Sequence, residues 1–256
     1  MTVIDRLWPE PCSDCDLESI LGGYEQGVST RWVRVNFVAS VDGSATAGGA
    51  SGRLGTAADH VIFDLLRRPC DVILVAAGTV RKEGYGGELV DASTSLWRHQ
   101  HGFTPHPRLA IVTGSAALDP DLPVFTQAPD PPIVLTSRSS SISRREALAE
   151  SAEVILCGED TIDLARALDE LADRGLTRVH CEGGPHLFGA LARQRLVDEL
   201  CLTVSPMLVG GSGPRIATES EDSDENILDL CLAQVLRSDD TLLLRYTTRS
   251  EPSTMV

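Results

Sequence analysis

The run Cys181-Glu182-Gly183-Gly184-Pro185-His186-Leu187 joins residue types suited to holding an anion. Paired glycines let a ligand approach the backbone without a Cβ clash, and proline is at home in the first turn of a helix. A helix that starts here offers free N–H groups in a positive dipole field, a setting that attracts phosphate. The run is not the G-x-G-x-x-G of a dinucleotide fold, and on residue type alone it also serves as a plain bend from strand to helix. Two other stretches follow strand-like runs. Ser40-Val41-Asp42-Gly43 opens a small-residue segment through Ser51-Gly52, which either lies against a flat cofactor or is an Asp-Gly turn with a surface loop. Gly78 to Gly87, containing Arg81, Lys82, Glu83 and Tyr85, begins just past a second strand, at the end where α/β sheets bind ligands.

Pro11-Cys12-Ser13-Asp14-Cys15 matches half of a zinc-deaminase signature. The other half, an upstream H-x-E carrying a ligand and the proton-transfer group, is missing because no histidine precedes it. Two thiols do not complete a tetrahedral zinc site, so the segment reads as a turn with two thiols and no metal.

The elements that must position these residues follow from apolar patterning. Trp32 to Val41 is a strand, Gly43 to Gly55 a long loop, and Thr56 opens a helix with Asp59 as its capping partner. Val61, Ile62, Leu65 and Leu66 recur at helical spacing until Pro69 stops the helix. Val72 to Val75 is a short continuous apolar strand, of the kind covered by helices on both faces. Gly78 to Pro107 reads as a second long polar loop. Further strands are expected at 109–113, 133–136, 154–157, 178–181, 199–204 and 242–247, with helices at 144–150, 162–173 and 185–195. Alternation of this kind gives an α/β sheet, and two closing strands without a helix between them give it an antiparallel edge. Segments 137–143 and 219–226 read as polar loops, and the first thirty residues as an extension without catalytic residues.

At 256 residues the chain suits one α/β domain with a sizeable core. Its net charge of −15 and pI near 4.7 argue against nucleic-acid or anionic-membrane partners, which would be repelled at long range. Seven cysteines, scattered through apolar segments, suggest reduced core residues and a cytoplasmic setting. The N-terminus has no signal-peptide core, and the longest apolar run, Val72 to Ala77, is far too short to span a bilayer.

Taken in order, several pieces resemble one family: Ser40-x-Asp42-Gly43, the Thr56-started helix ending in Arg67, Gly78-Thr79-Val80, Glu182-Gly183-Gly184-Pro185, and Leu196-Val197-Asp198-Glu199-Leu200. It is the reductase domain of the riboflavin-biosynthesis deaminase-reductases, and Pro206 with Gly210-Gly211 also fits. The likeness runs from about Trp32 to Tyr246 and implies an N-terminal extension (1–30) before a reductase domain (31–250). It implies an α/β, dihydrofolate-reductase-like three-layer αβα fold with a central, mostly parallel sheet and an antiparallel C-terminal edge. A cytoplasmic homodimer using NADPH to reduce 5-amino-6-(5-phosphoribosylamino)uracil at the ribosylamino carbon also follows from it.

By position, the resemblance places NADPH against Ala39, Thr79 and the run from Gly183, Gly184, Pro185, His186 and Leu187 onward, with a cis peptide between the glycines. It puts Arg67 and Glu182 near substrate. Glu83 stands where the bacterial family carries an aspartate of an acidic-Pro motif, making it a catalytic carboxylate, although Gly84-Tyr85 replaces the expected acid and proline. The family's substrate-side arginine has no counterpart between Gly86 and Ser93. Asp59 is a second catalytic candidate, because related dihydrofolate reductases grip the pteridine with a carboxylate on the first helix. Ser115 and Arg138, in the polar segments after the middle strands, are the candidates for the 2′-phosphate of NADPH. Dihydrofolate reduction and NADPH binding without turnover are the alternative readings.

Overall fold

The computed structural model describes residues 2–24, 31–218 and 227–249. The first half contains β1 (Asp5–Trp8), α1 (Leu17–Gly22), β2 (Trp32–Ser40), α2 (Ala57–Leu66), β3 (Val72–Ala76), α3 (Ala77–Glu83), α4 (Ala92–Gln100) and β4 (Arg108–Val112). Beyond it lie α5 (Pro123–Thr126), β5 (Ile133–Thr136), α6 (Ile142–Ala149), β6 (Glu153–Leu156), α7 (Leu164–Ala172), β7 (Arg178–Cys181) and α8 (Pro185–Arg193). The chain then forms β8 (Glu199–Ser205), β9 (Leu230–Ser238) and β10 (Thr241–Thr248).

One ten-stranded sheet runs in the order β1-β9-β10-β8-β2-β7-β3-β4-β5-β6. From β8 to β6 all neighbours are parallel, and β10, β9 and β1 add an antiparallel edge. Alternation along β3 explains the layers. Val72 and Leu74 pack with α7 and α8 on one face, while Ile73 and Val75 pack with α3, α5 and α6 on the other. Such two-sided burial is why this strand reads as an unbroken apolar run. The three-layer α/β architecture and the antiparallel edge are as the sequence implies.

Thr56 caps α2 by accepting the Asp59 backbone N–H at 3.3 Å, as its spacing from Asp59 indicates. Ile62, Leu65 and Leu66 of that helix pack with Ile20 and Leu21 of α1.

Three features depart from the sequence reading, and one expectation falls outside the described residues. The expected loop 78–107 contains α3 and α4, whose largely polar sequences hide helices that each bury one narrow face, through Ala77 and Val80 in one and Thr94 and Arg98 in the other. Within the first thirty residues β1 pairs with β9, and β9 itself was not expected beside the two closing strands. Cys12 and Cys15 are joined as a disulfide, in place of two thiols in a turn; the other five cysteines are free. Residues 219–226, expected as a polar loop, lie outside the described residues. No helix among the described residues is long and apolar enough to cross a membrane.

Buried charge joins the antiparallel edge to the parallel sheet. Glu199 of β8, with no exposed side-chain surface, accepts from Arg34 of β2 and from Arg245 of β10, each at 2.9 Å. Breaking such a pair would leave an uncompensated buried charge.

Candidate active site

A cavity of about 530 Å³ opens where β2, β7 and β3, neighbours in the sheet, reach their carboxyl ends. A second space of about 350 Å³ shares Ser51, Phe63, Thr79, Glu83 and Glu182 with it. This is the end of a parallel sheet where strand-to-helix turns leave room for ligands.

The glycine turn forms one wall. Ladder bonding continues past the ends of the strands, with Glu182 N donating to Leu74 O at 2.9 Å and Ala76 N donating to Gly183 O at 3.0 Å. Gly183 and Gly184 have φ of 120° and 93°, where a side chain is strained. A Cβ on Gly184 would sit 2.6 Å from Cβ of Ala76. The cis peptide implied for this pair is absent: among the described residues the cis bond is Trp8–Pro9, and the two left-handed glycines alone turn the chain. Pro185 then starts α8, and Phe188 of that helix stacks on Phe37 of β2 at 5.0 Å between ring centres.

Arg67 and Glu182 meet directly. Arg67 Nε donates to Oε1 at 2.6 Å and Nη2 to Oε2 at 2.7 Å, while Nη1 donates to the Leu89 carbonyl. Tyr85 adds a phenol hydrogen bond to Glu182 Oε2 at 2.7 Å. Burial raises the Glu182 carboxyl, but the Arg67 charge and hydrogen bonds outweigh it, and the net shift is downward. Burial likewise drives the Tyr85 phenol well above its ordinary range, reinforced by the Glu182 charge. Behind them His180 is wholly buried 3.7 Å from Glu182 Oε1, with neither ring nitrogen hydrogen-bonded. Burial lowers its pKa to about 4.

Asp59 lines the cavity from the first turn of α2. Burial raises its carboxyl above the usual range, while a hydrogen bond to the Thr203 side chain and the charge of His60 partly offset this. Glu83 lines both spaces and accepts from Ser51 Oγ at 2.8 Å.

Thr79, Gly183, Gly184, Pro185 and His186 also line the cavity. Ala39 and Leu187 do not: the first is buried in β2 and the second packs in the core beneath α8. Ser115 and Arg138 follow β4 and β5, away from this cavity; Arg138 is exposed and paired with Glu159 at 3.0 Å. Sequence reasoning missed Tyr85 as a partner of Glu182, Lys82 and His60 as lining residues, and Ser51 as the partner of Glu83. Tyr85 and Lys82 lay inside the Gly78–Gly87 run, but nothing local reveals a contact across 97 positions.

The family described as RibD C-terminal domain matches residues 31–244. A 2,5-diamino-6-ribosylamino-4(3H)-pyrimidinone 5′-phosphate reductase of Methanothermobacter thermautotrophicus is 27% identical over 221 residues, covering 85% of this chain and 98% of that protein. The protein of the same name from Aquifex aeolicus is 31% identical over 178 residues, covering 67% and 75%. Among solved structures, a pyrimidine reductase-like protein of Corynebacterium diphtheriae superposes with a TM-score of 0.82 at 26% identity, covering 93% of this chain and all of that one. On its sequence and its fold, the chain belongs to the RibD C-terminal domain family.

Proposed function

We propose that this chain is an NADPH-dependent reductase of a phosphorylated ribosylaminopyrimidine, either the aminouracil form or the diaminopyrimidinone form named for its relatives. The observation that carries the reading is that the glycine turn and a buried carboxyl, Asp59, line one cavity.

The residues fit a nicotinamide cofactor. Gly184 presses on Ala76 so closely that no side chain fits, leaving bare backbone, and Thr79, Pro185 and His186 border the same space. Ser115 and Arg138, farther along the same carboxyl edge, are assigned to the 2′-phosphate, since an arginine holds phosphate through two parallel hydrogen bonds. Leu187 lies behind this wall, close to Gly184, and Ala39, buried in β2, is assigned with it to the cofactor side. When bound, NADPH supplies the hydride.

The acceptor is the ring-opened imine of the ribosylamine, in which hydride goes to the sugar carbon and a proton to its nitrogen. Asp59, whose carboxyl is raised by burial, holds a proton or accepts from the pyrimidine amino edge. Glu83, held by Ser51, orients the acceptor from the same cavity. Arg67 and Glu182 shape the floor through their mutual pair. Holding donor and acceptor in contact removes much of the entropic barrier. Exposed Leu232 and Leu242 on the antiparallel strands β9 and β10 support a homodimer, which we assign to the cytoplasm.

Asp59 also favours a second reading, reduction of dihydrofolate, whose pterin presents a comparable amino edge. NADPH consumption with each acceptor offered separately tests both. Turnover of the ribosylaminopyrimidine phosphate alone is expected. Turnover of dihydrofolate alone reassigns the acceptor, and binding of NADPH without oxidation leaves a non-catalytic cofactor-binding protein.

A further inference from the structure

The charges around the two connected spaces do not favour an anionic acceptor. Their acidic lining residues are Asp59, Glu83, Glu88 and Glu182, against Lys82 and Arg67 as the permanently charged basic ones, with the imidazoles of His60 and His186 beside them. The whole chain carries −15, so a phosphate monoester approaches against a repulsive field. Arg67 is not available to reverse it. Two of its nitrogens are committed to Glu182 and the third to the Leu89 carbonyl, and its flat face covers Phe63 at 4.5 Å. With three of its five N–H groups and one face engaged, and its charge already balanced by Glu182, Arg67 brings no net positive charge to a phosphate.

Lys82 is in the opposite situation. It lies three residues past Thr79 on α3, and both border the larger cavity, as residues three apart on one helix face do. Among the described residues it has neither an ion pair nor a hydrogen bond. A lysine is a compact charge on a flexible stem, able to follow a phosphate without bidentate geometry. We propose that Lys82 determines specificity for the acceptor's phosphate: of the lysines and arginines lining these two spaces among the described residues, it is the one without an ion pair or hydrogen bond. This rests on the reductase reading and names the contact that would make a phosphorylated acceptor preferred over its free ribosyl form.

Steady-state kinetics of the wild type, Lys82→Ala and Lys82→Arg, each with the phosphorylated acceptor and its dephosphorylated counterpart, test the assignment. The wild type should prefer the phosphorylated acceptor, and Lys82→Ala should raise KM for it about tenfold. KM for the dephosphorylated form and for NADPH should stay within about twofold, and Lys82→Arg should restore most of the preference. A wild type that turns over the phosphorylated acceptor, with a Lys82→Ala variant that keeps the preference, overturns the lysine assignment and leaves the reductase reading standing. A raised KM for NADPH instead moves the contact to the cofactor and also overturns it. Wild-type protein that reduces neither acceptor removes the reductase reading and the assignment with it.

A second readout does not depend on turnover. Of the 22 lysines and arginines in the sequence only residue 82 is a lysine, so an amine-directed reagent has one side chain to modify besides the N-terminus. Ribose 5-phosphate should slow modification at Lys82, followed by peptide mass, whereas ribose should not. Equal rates in both sugars contradict the assignment.

Discussion

The guanidinium of Arg67 meets the carboxylate of Glu182 at two points, at 2.6 and 2.7 Å, tying the end of α2 to the end of β7 beneath the cavity. Both residues were read from the sequence as separate contacts to substrate. Joined in this way, they form a neutral pair completed by Tyr85.

Removing one partner should therefore damage the fold before it damages chemistry. Arg67→Ala leaves the Glu182 carboxylate buried and unpaired, at a cost of about 3–5 kcal/mol, and urea unfolding reads that loss directly. Arg67→Ala combined with Glu182→Gln should recover part of it, because no bare charge remains. A loss below about 1 kcal/mol in the single variant would show that the pair does not hold the floor.

Gly184 is the most demanding position of the glycine turn. An alanine there must adopt φ near 93° and place its Cβ 2.6 Å from Cβ of Ala76. Strain of this kind costs about 1–3 kcal/mol, and relief by displacing β3 would reshape the cavity wall. Gly184→Ala should weaken NADPH binding at least about tenfold by calorimetry. Gly22→Ala, with open space around the new methyl, is the matched control; similar loss in both would remove the turn from the cofactor site.

Arg138 is exposed and pairs with Glu159, so its removal should be nearly neutral for stability. If it holds the 2′-phosphate, Arg138→Ala should weaken NADPH about tenfold or more and leave NADH nearly unchanged. Equal loss of both cofactors would separate Arg138 from that phosphate.

His180 gives a pH dependence with a definite sign. Burial holds its imidazole at about 4 in the folded protein, against 6.5 when free, with Glu182, Arg34 and Arg67 as the nearby charges. Between those values the unfolded chain binds more protons, so stability is complete above pH 6.5 and falls as pH drops towards 4. The loss is about 3 kcal/mol at most. His180→Leu should flatten that part of the stability profile, measured by urea titration at successive pH values; an unchanged slope would assign the acid sensitivity to other groups.

Much of this arrangement is legible in the chain itself. β7 spans Arg178–Cys181, as expected from the sequence, and the turn after it carries the glycines that line the cavity at the sheet's carboxyl edge. The capping of α2 by Thr56 follows from one residue and its spacing. Polar α3 and α4 were hidden because helices that bury a single narrow face leave a weak periodic signal. The buried ion pairs were harder still. Glu199 with Arg34 and Arg245, and Glu182 with Arg67, are joined across 46 to 165 positions. Their partners are set by strand order, which no local pattern contains. For the same reason the sequence marked Arg67 and Glu182 as important without showing that they face each other.

The most direct measurement is isotope transfer. NADPH carrying deuterium at the transferable position is incubated with the protein and the ribosylaminopyrimidine phosphate, and the product is examined by mass and proton NMR. One deuterium at the first carbon of the ribityl chain is the expected result. NADPH oxidation without deuterium at that carbon, or no reaction with this acceptor while dihydrofolate is reduced, would contradict the proposed reaction.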